Sequence, residues 1–129
     1  IDGVPFLEDA GFRNKISALE IRTSALEFAE LAGLARMARG ESPGIGSSLV
    51  KNASVEIDQA IGELKLEAVQ YYGMPHANRI SLNGHNERWP GPEYAETVTP
   101  RYLNTRAASV FGGSKEVQKN IIAKAVLGL

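Results

Sequence analysis

From Phe12 to Met37 apolar positions recur every three or four residues, at Phe12, Ile16, Leu19, Leu26, Leu34 and Met37, with Thr23 in the same row. That spacing predicts an α-helix, because positions three and four apart share one face. A second row, Ile21, Ala25, Phe28, Ala32 and Ala35, predicts that this long helix is buried on more than one side. Asp9 is the expected N-cap. Gly40, followed by Ser42-Pro43-Gly44, is the expected stop, since glycine and proline extend the hydrogen-bond ladder poorly.

A second helix is predicted from about Ser47 to Tyr72, with Val50, Ala53, Ile57, Ile61, Leu64 and Ala68 at helical spacing and Ser47 or Ser48 as cap. Lys51, Glu56, Asp58, Glu63, Lys65 and Glu67 are assigned to its outer face. Two such helices joined by a short turn predict an antiparallel hairpin, the start of a helix bundle. Between Gly73 and Val98, prolines, glycines and asparagines break every period, which predicts a long loop. Loops of that length in a compact domain usually serve a site or an interface, and Trp89 and Tyr94 favour an ordered one. Helical spacing resumes after Pro100 through Tyr102, Leu103, Arg106, Ala107 and Val110, and stops at Gly112-Gly113. It restarts with Ser114 as cap for a last helix reaching Gly128. The expectation is all-α, one antiparallel four-helix bundle over residues 1–129.

With 129 residues the chain has the length of one domain and is short for separate cofactor and substrate domains. A net charge of −1 leaves no cationic excess for a nucleic acid or an anionic membrane. The absence of cysteine excludes disulfides and thiolate metal sites and suits a reducing compartment, so the cytoplasm is expected. His76 and His85, nine apart in a loop without paired carboxylates, have poor spacing for a metal. No stretch reaches the apolar length of a membrane span. A start at Ile1-Asp2-Gly3-Val4-Pro5, without methionine, reads as a sequence cut from a longer one.

The stretch richest in chemistry is Val110-Phe111-Gly112-Gly113-Ser114-Lys115-Glu116-Val117-Gln118. One helix ends there in two glycines and the next begins with a hydroxyl cap, so unpaired N–H groups and the positive end of a helix dipole face outward. Such a junction suits a phosphate, a diphosphate or a carbonyl oxygen; the alternative is a plain turn between helices.

The tail Tyr102-Leu103-Asn104-Thr105-Arg106, followed by Val110 through Leu129, resembles the C-terminal signature of the acyl-CoA dehydrogenase family. Weaker likeness extends upstream, through Gly44-Ile45-Gly46-Ser47-Ser48-Leu49-Val50-Lys51 and Asn86-Glu87-Arg88-Trp89-Pro90-Gly91-Pro92-Glu93-Tyr94-Ala95. These look like bacterial members acting on dicarboxylic and steroid side-chain acyl-CoAs.

The resemblance implies a flavoenzyme with an N-terminal helical domain, a middle β domain and a C-terminal bundle, the first two absent here. It implies FAD as cofactor, an acyl-CoA substrate oxidised to the 2,3-enoyl-CoA, and an electron-transfer flavoprotein as electron acceptor. The assembly it implies is a homo-oligomer, dimer or tetramer, with a heteromer as the variant. Carried over by position, the Gly112 N–H donates to the thioester oxygen and Phe111 packs beside substrate and flavin. Gly113, Ser114, Glu116 and Gln118 meet the diphosphate and adenosine portion of the cofactor.

This chain departs from the family in two places. Many members place the catalytic glutamate where Gly112 stands, and glycine cannot take a proton. Other members have a small residue there and draw a carboxylate from the domain's first helix, which would lie before Ile1. The alternatives are a non-catalytic paralogue or one subunit of a heteromeric enzyme. In each case this chain alone is expected to be inactive. Second, the glycine-rich segment that reaches a neighbour's flavin is not recognisable between Gly73 and Pro100; Arg79 and Arg88 in that loop could meet phosphate or a carboxylate. Rival readings are a helical scaffold domain without redox function and a flavin monooxygenase on the related fold. Acyl specificity is not legible, because the deep end of the acyl pocket would lie mostly outside the chain.

Overall fold

A computed structural model gives the fold of residues 5–42, 44–75 and 89–128. Four α-helices carry it: α1 (Ala10–Ala38), α2 (Gly46–Val69), α3 (Val98–Thr105) and α4 (Lys115–Leu127). Single 3-10 turns lie at Phe6–Glu8, Gln70–Gly73, Glu93–Ala95 and Arg106–Ser109. No strand occurs among the described residues, and the all-α class stands. None of their helices is long and apolar enough to cross a membrane.

The helix ends show which local signals decide them. Asp9 caps α1 as expected, its Oδ1 accepting the Phe12 N–H at 2.6 Å. At the other end Gly40 takes φ +78°. Its N–H reaches the Met37 carbonyl at 2.9 Å and the Glu41 N–H reaches that of Arg36 at 3.1 Å. This is a Schellman turn, which meets two carbonyls the helix leaves orphaned.

The start of α2 corrects the sequence reading, because Ile45 is its N-cap and neither Ser47 nor Ser48 caps it. Ile45 already has helical dihedrals (φ −77°, ψ −6°), which puts both serines inside the first turn. Ser48 is buried there instead. α2 also stops at Val69 rather than Tyr72, since Gln70 swings to φ 49°, ψ −124°. α3 begins ahead of Pro100, which sits in its first turn, where a missing N–H breaks no bond.

α2 is the hub on which α1, α3 and α4 pack. Ion pairs Lys15–Glu67 (2.5 Å) and Arg22–Glu56 (3.6 Å) fix α1 antiparallel to it. α3 runs back along α2: the Thr99 hydroxyl donates to the Gly73 carbonyl near the C-terminal end of α2, and Gln59 Nε2 donates to the Thr105 carbonyl at 3.2 Å nearer its middle. Of the face predicted to be outer, Glu63, Lys65 and Glu67 are exposed, whereas Lys51, Glu56 and Asp58 are half-buried. Lys51, Glu56, Asp58, Glu63 and Glu67 all bond to other elements, because a central helix has neighbours on several sides.

Among the described residues Phe12, Ile57, Val69 and Ala95 are the buried apolar side chains, and the Phe6 ring tilts onto Phe12 at 4.8 Å. The expectation that α1 is buried on more than one side is not met. α2 covers one side, while Ile21 and Phe28 in the second row are 71% and 73% exposed. Open grooves of about 340 and 300 Å³ remain along the α1–α2 seam.

The last part of the long loop passes against the Tyr72 ring, which a Cβ on Gly91 would displace. Trp89 is half-buried, Tyr94 is exposed, and Ala95 is fully buried. The predictions for His76, Asn78, Arg79, His85, Asn86 and Arg88 lie outside the described residues.

Candidate functional site

The chain reaches the Gly112–Gly113 junction through the 3-10 turn Arg106–Ser109. There the Ala107 carbonyl accepts from Val110 N–H at 2.9 Å and from Phe111 N–H at 3.2 Å. Gly112 and Gly113 follow at φ +68° and +89°. Two consecutive residues in left-handed backbone are tolerable only without Cβ atoms, which explains the glycine pair. Neither glycine N–H has an acceptor among the described residues. Both residues are exposed, so these donors face outward from an irregular segment.

α4 then begins at Ser114, whose hydroxyl accepts the Val117 N–H at 3.3 Å, the predicted cap. Gln118 reaches back over the turn, its Nε2 donating to the Gly112 carbonyl at 3.4 Å. Its side chain also fills the space that a Cβ on Gly113 would need.

Glu116 folds onto the helix start. Hydrogen bonds from its own N–H and from the Ser114 hydroxyl hold its carboxyl below the ordinary glutamate range, with Lys119 and Lys115 adding charge attraction. Phe111 is 62% exposed and is not part of the core. Along this turn and helix start, the rim of the domain, Phe111, Gly112, Gly113 and Glu116 are exposed and Ser114 and Gln118 half-buried.

Sequence reasoning missed what holds this rim. Lys51 Nζ donates to the Ala108 carbonyl at 3.1 Å, and Arg106 donates to the Gln59 carbonyl at 3.1 Å and to Glu63 at 3.0 Å. The Arg106 guanidinium also lies 4.3 Å from the centre of the Tyr102 ring. At the start of α4, Lys115 pairs with Glu56. Charged residues at helical spacing gave no sign that they faced a partner.

The rim offers oxygen acceptors two N–H donors, while the Ser114 hydroxyl is engaged, accepting from Val117 and donating to Glu116. The Glu116 carboxylate, an acceptor only, suits a hydroxyl-bearing ligand portion better than a phosphate. Among the described residues no cluster of histidine, aspartate and glutamate could hold a metal.

The sequence matches the family described as acyl-CoA dehydrogenase, C-terminal domain, over residues 2–127. Comparisons with curated proteins and with solved structures gave no match. A family match over almost the whole chain, on an all-helical fold with the glycine junction and its helix cap in place, shows that this chain belongs to the acyl-CoA dehydrogenase family.

Proposed function

We propose that the chain is the C-terminal domain of an FAD-dependent enzyme that oxidises an acyl-CoA thioester to the 2,3-enoyl-CoA, with an electron-transfer flavoprotein as the final acceptor of the electrons. The observation that carries this reading is the pair of N–H groups on left-handed glycines at a capped helix start, neither with an acceptor among the described residues. The Gly112 N–H donates to the thioester oxygen. That makes the α-proton more acidic, and a main-chain donor suits the task because it is fixed before the reaction. Phe111, exposed on the rim, shields the acyl group from water. Gly113, Ser114 and Gln118 would hold the cofactor's diphosphate, and the Glu116 carboxylate would accept from its adenosine hydroxyls. When bound, FAD supplies the hydride acceptor.

The proton acceptor is a carboxylate from another part of the enzyme, because Gly112 has no side chain and a general base must come within about 3 Å of its proton. This chain alone is therefore inactive. The open apolar side of α1 supports its use in a homo-oligomer. The missing base also favours a second reading, a non-catalytic subunit of a heteromeric enzyme.

The test is Gly113→Val in the complete enzyme. A β-branched residue at φ +89° is strained and would meet Gln118. Flavin content per subunit should fall; unchanged content with unchanged turnover would reduce the junction to an ordinary turn.

A further inference from the structure

We infer that Lys51 is a positioning residue for the Gly112 N–H, an inference that rests on the function proposed above. Where α3 and the following 3-10 turn end, the last carbonyls lose their partners in the helix. The Ala107 carbonyl is met locally by Val110 and Phe111 N–H. Those on either side of this stretch are met from α2: Gln59 Nε2 donates to the Thr105 carbonyl at 3.2 Å and Lys51 Nζ to the Ala108 carbonyl at 3.1 Å.

Lys51 is half-buried and stands in the second turn of α2, so its ammonium ties the segment to the central helix four residues before Gly112. A cation at the carbonyl end of a helical segment also interacts favourably with its dipole. Between Ala108 and Phe111 the chain is held by the two bonds to Ala107 and the one from Lys51, and beyond them Gln118 Nε2 donates to the Gly112 carbonyl. The two glycines that follow have no side chains with which to anchor themselves. The approach of the chain to Gly112 is thus tied to α2 by Lys51, which acts on the Gly112 N–H through the backbone.

The experiment compares Lys51→Met, Lys51→Arg and Lys15→Met in the complete, flavin-loaded enzyme. Lys15→Met removes a similar inter-helix contact, Lys15–Glu67, far from the junction. Flavin content, single-turnover flavin reduction and peptide-resolved hydrogen exchange are measured for each. Lys51→Met should keep its flavin, exchange faster over residues 107–113, and reduce flavin about ten- to a hundredfold more slowly, as a misplaced group does. Lys51→Arg should recover most of that rate, and Lys15→Met should lose little.

Unchanged exchange and reduction in Lys51→Met overturn the inference, as does an equal loss in Lys15→Met. Should Lys51→Met fail to fold, Lys51→Gln, which keeps a donor without the charge, carries the same comparison. Failure here while Gly113→Val still loses flavin removes the role of Lys51 alone; an inert Gly113→Val removes both readings.

Discussion

At Glu116 the proposed role is binding rather than proton transfer, and what its carboxylate already holds supports that role. Its own N–H and the Ser114 hydroxyl stabilise the charged form, and a carboxylate stabilised in this way is a weak proton acceptor. Glu116→Gln in the complete enzyme should therefore leave single-turnover flavin reduction within about tenfold, since removing a true general base costs roughly a hundredfold or more. Loss of reduction with flavin fully bound would make Glu116 the base after all. The glycine turn and its Ser114 cap were legible in the sequence because their arrangement is local, set by three consecutive residues. Lys51 and Arg106 were not, because the carbonyls they meet lie 57 and 47 residues away in the chain.

Among the elements, Glu56 on α2 joins α1 through Arg22 and α4 through Lys115. The Lys115 ammonium is the main reason its carboxyl lies below the ordinary range; Arg22 and Lys119 act the same way and partial burial opposes them. A lowered folded-state value means stability that is fully present above the unfolded glutamate value of about 4.3 and is lost as pH falls through the lowered one. With both partners partly exposed, the contribution stays below about 1 kcal/mol. Melting temperature should fall as pH drops below about 4.3, and less steeply in Glu56→Gln; parallel curves for the two proteins would show that the pair contributes nothing. Helix positions were legible to within a few residues, caps included at Asp9 and Ser114. The cap of α2 was not, because Ile45 enters helical dihedrals without a side-chain signal.

For the whole molecule, the decisive feature is the uncovered side of α1, where Ile21, Phe28 and Leu31 lie exposed. A soluble domain rarely leaves so much apolar surface in contact with water. The chain should self-associate in the micromolar range, and Ile21→Glu with Phe28→Glu should shift sedimentation toward monomer. A wild-type chain that is strictly monomeric over that range would contradict this. Periodicity correctly gave the apolar width of α1 but not what covers it, since a pattern along one helix carries no information about its neighbour.

The hub position of α2 has a consequence in time. α1 and α2 are joined by a short turn and can pair early, as a hairpin of neighbouring helices does. The contacts that seat the junction, Lys51 to Ala108 and Gln59 to Thr105, close loops spanning 57 and 46 residues. Loop closure of that kind is an entropic cost met before the contact returns anything. The glycine rim therefore takes shape late in folding, on a helix pair already formed. Substitutions at Lys51 should chiefly accelerate unfolding, leaving the rate of collapse almost unchanged.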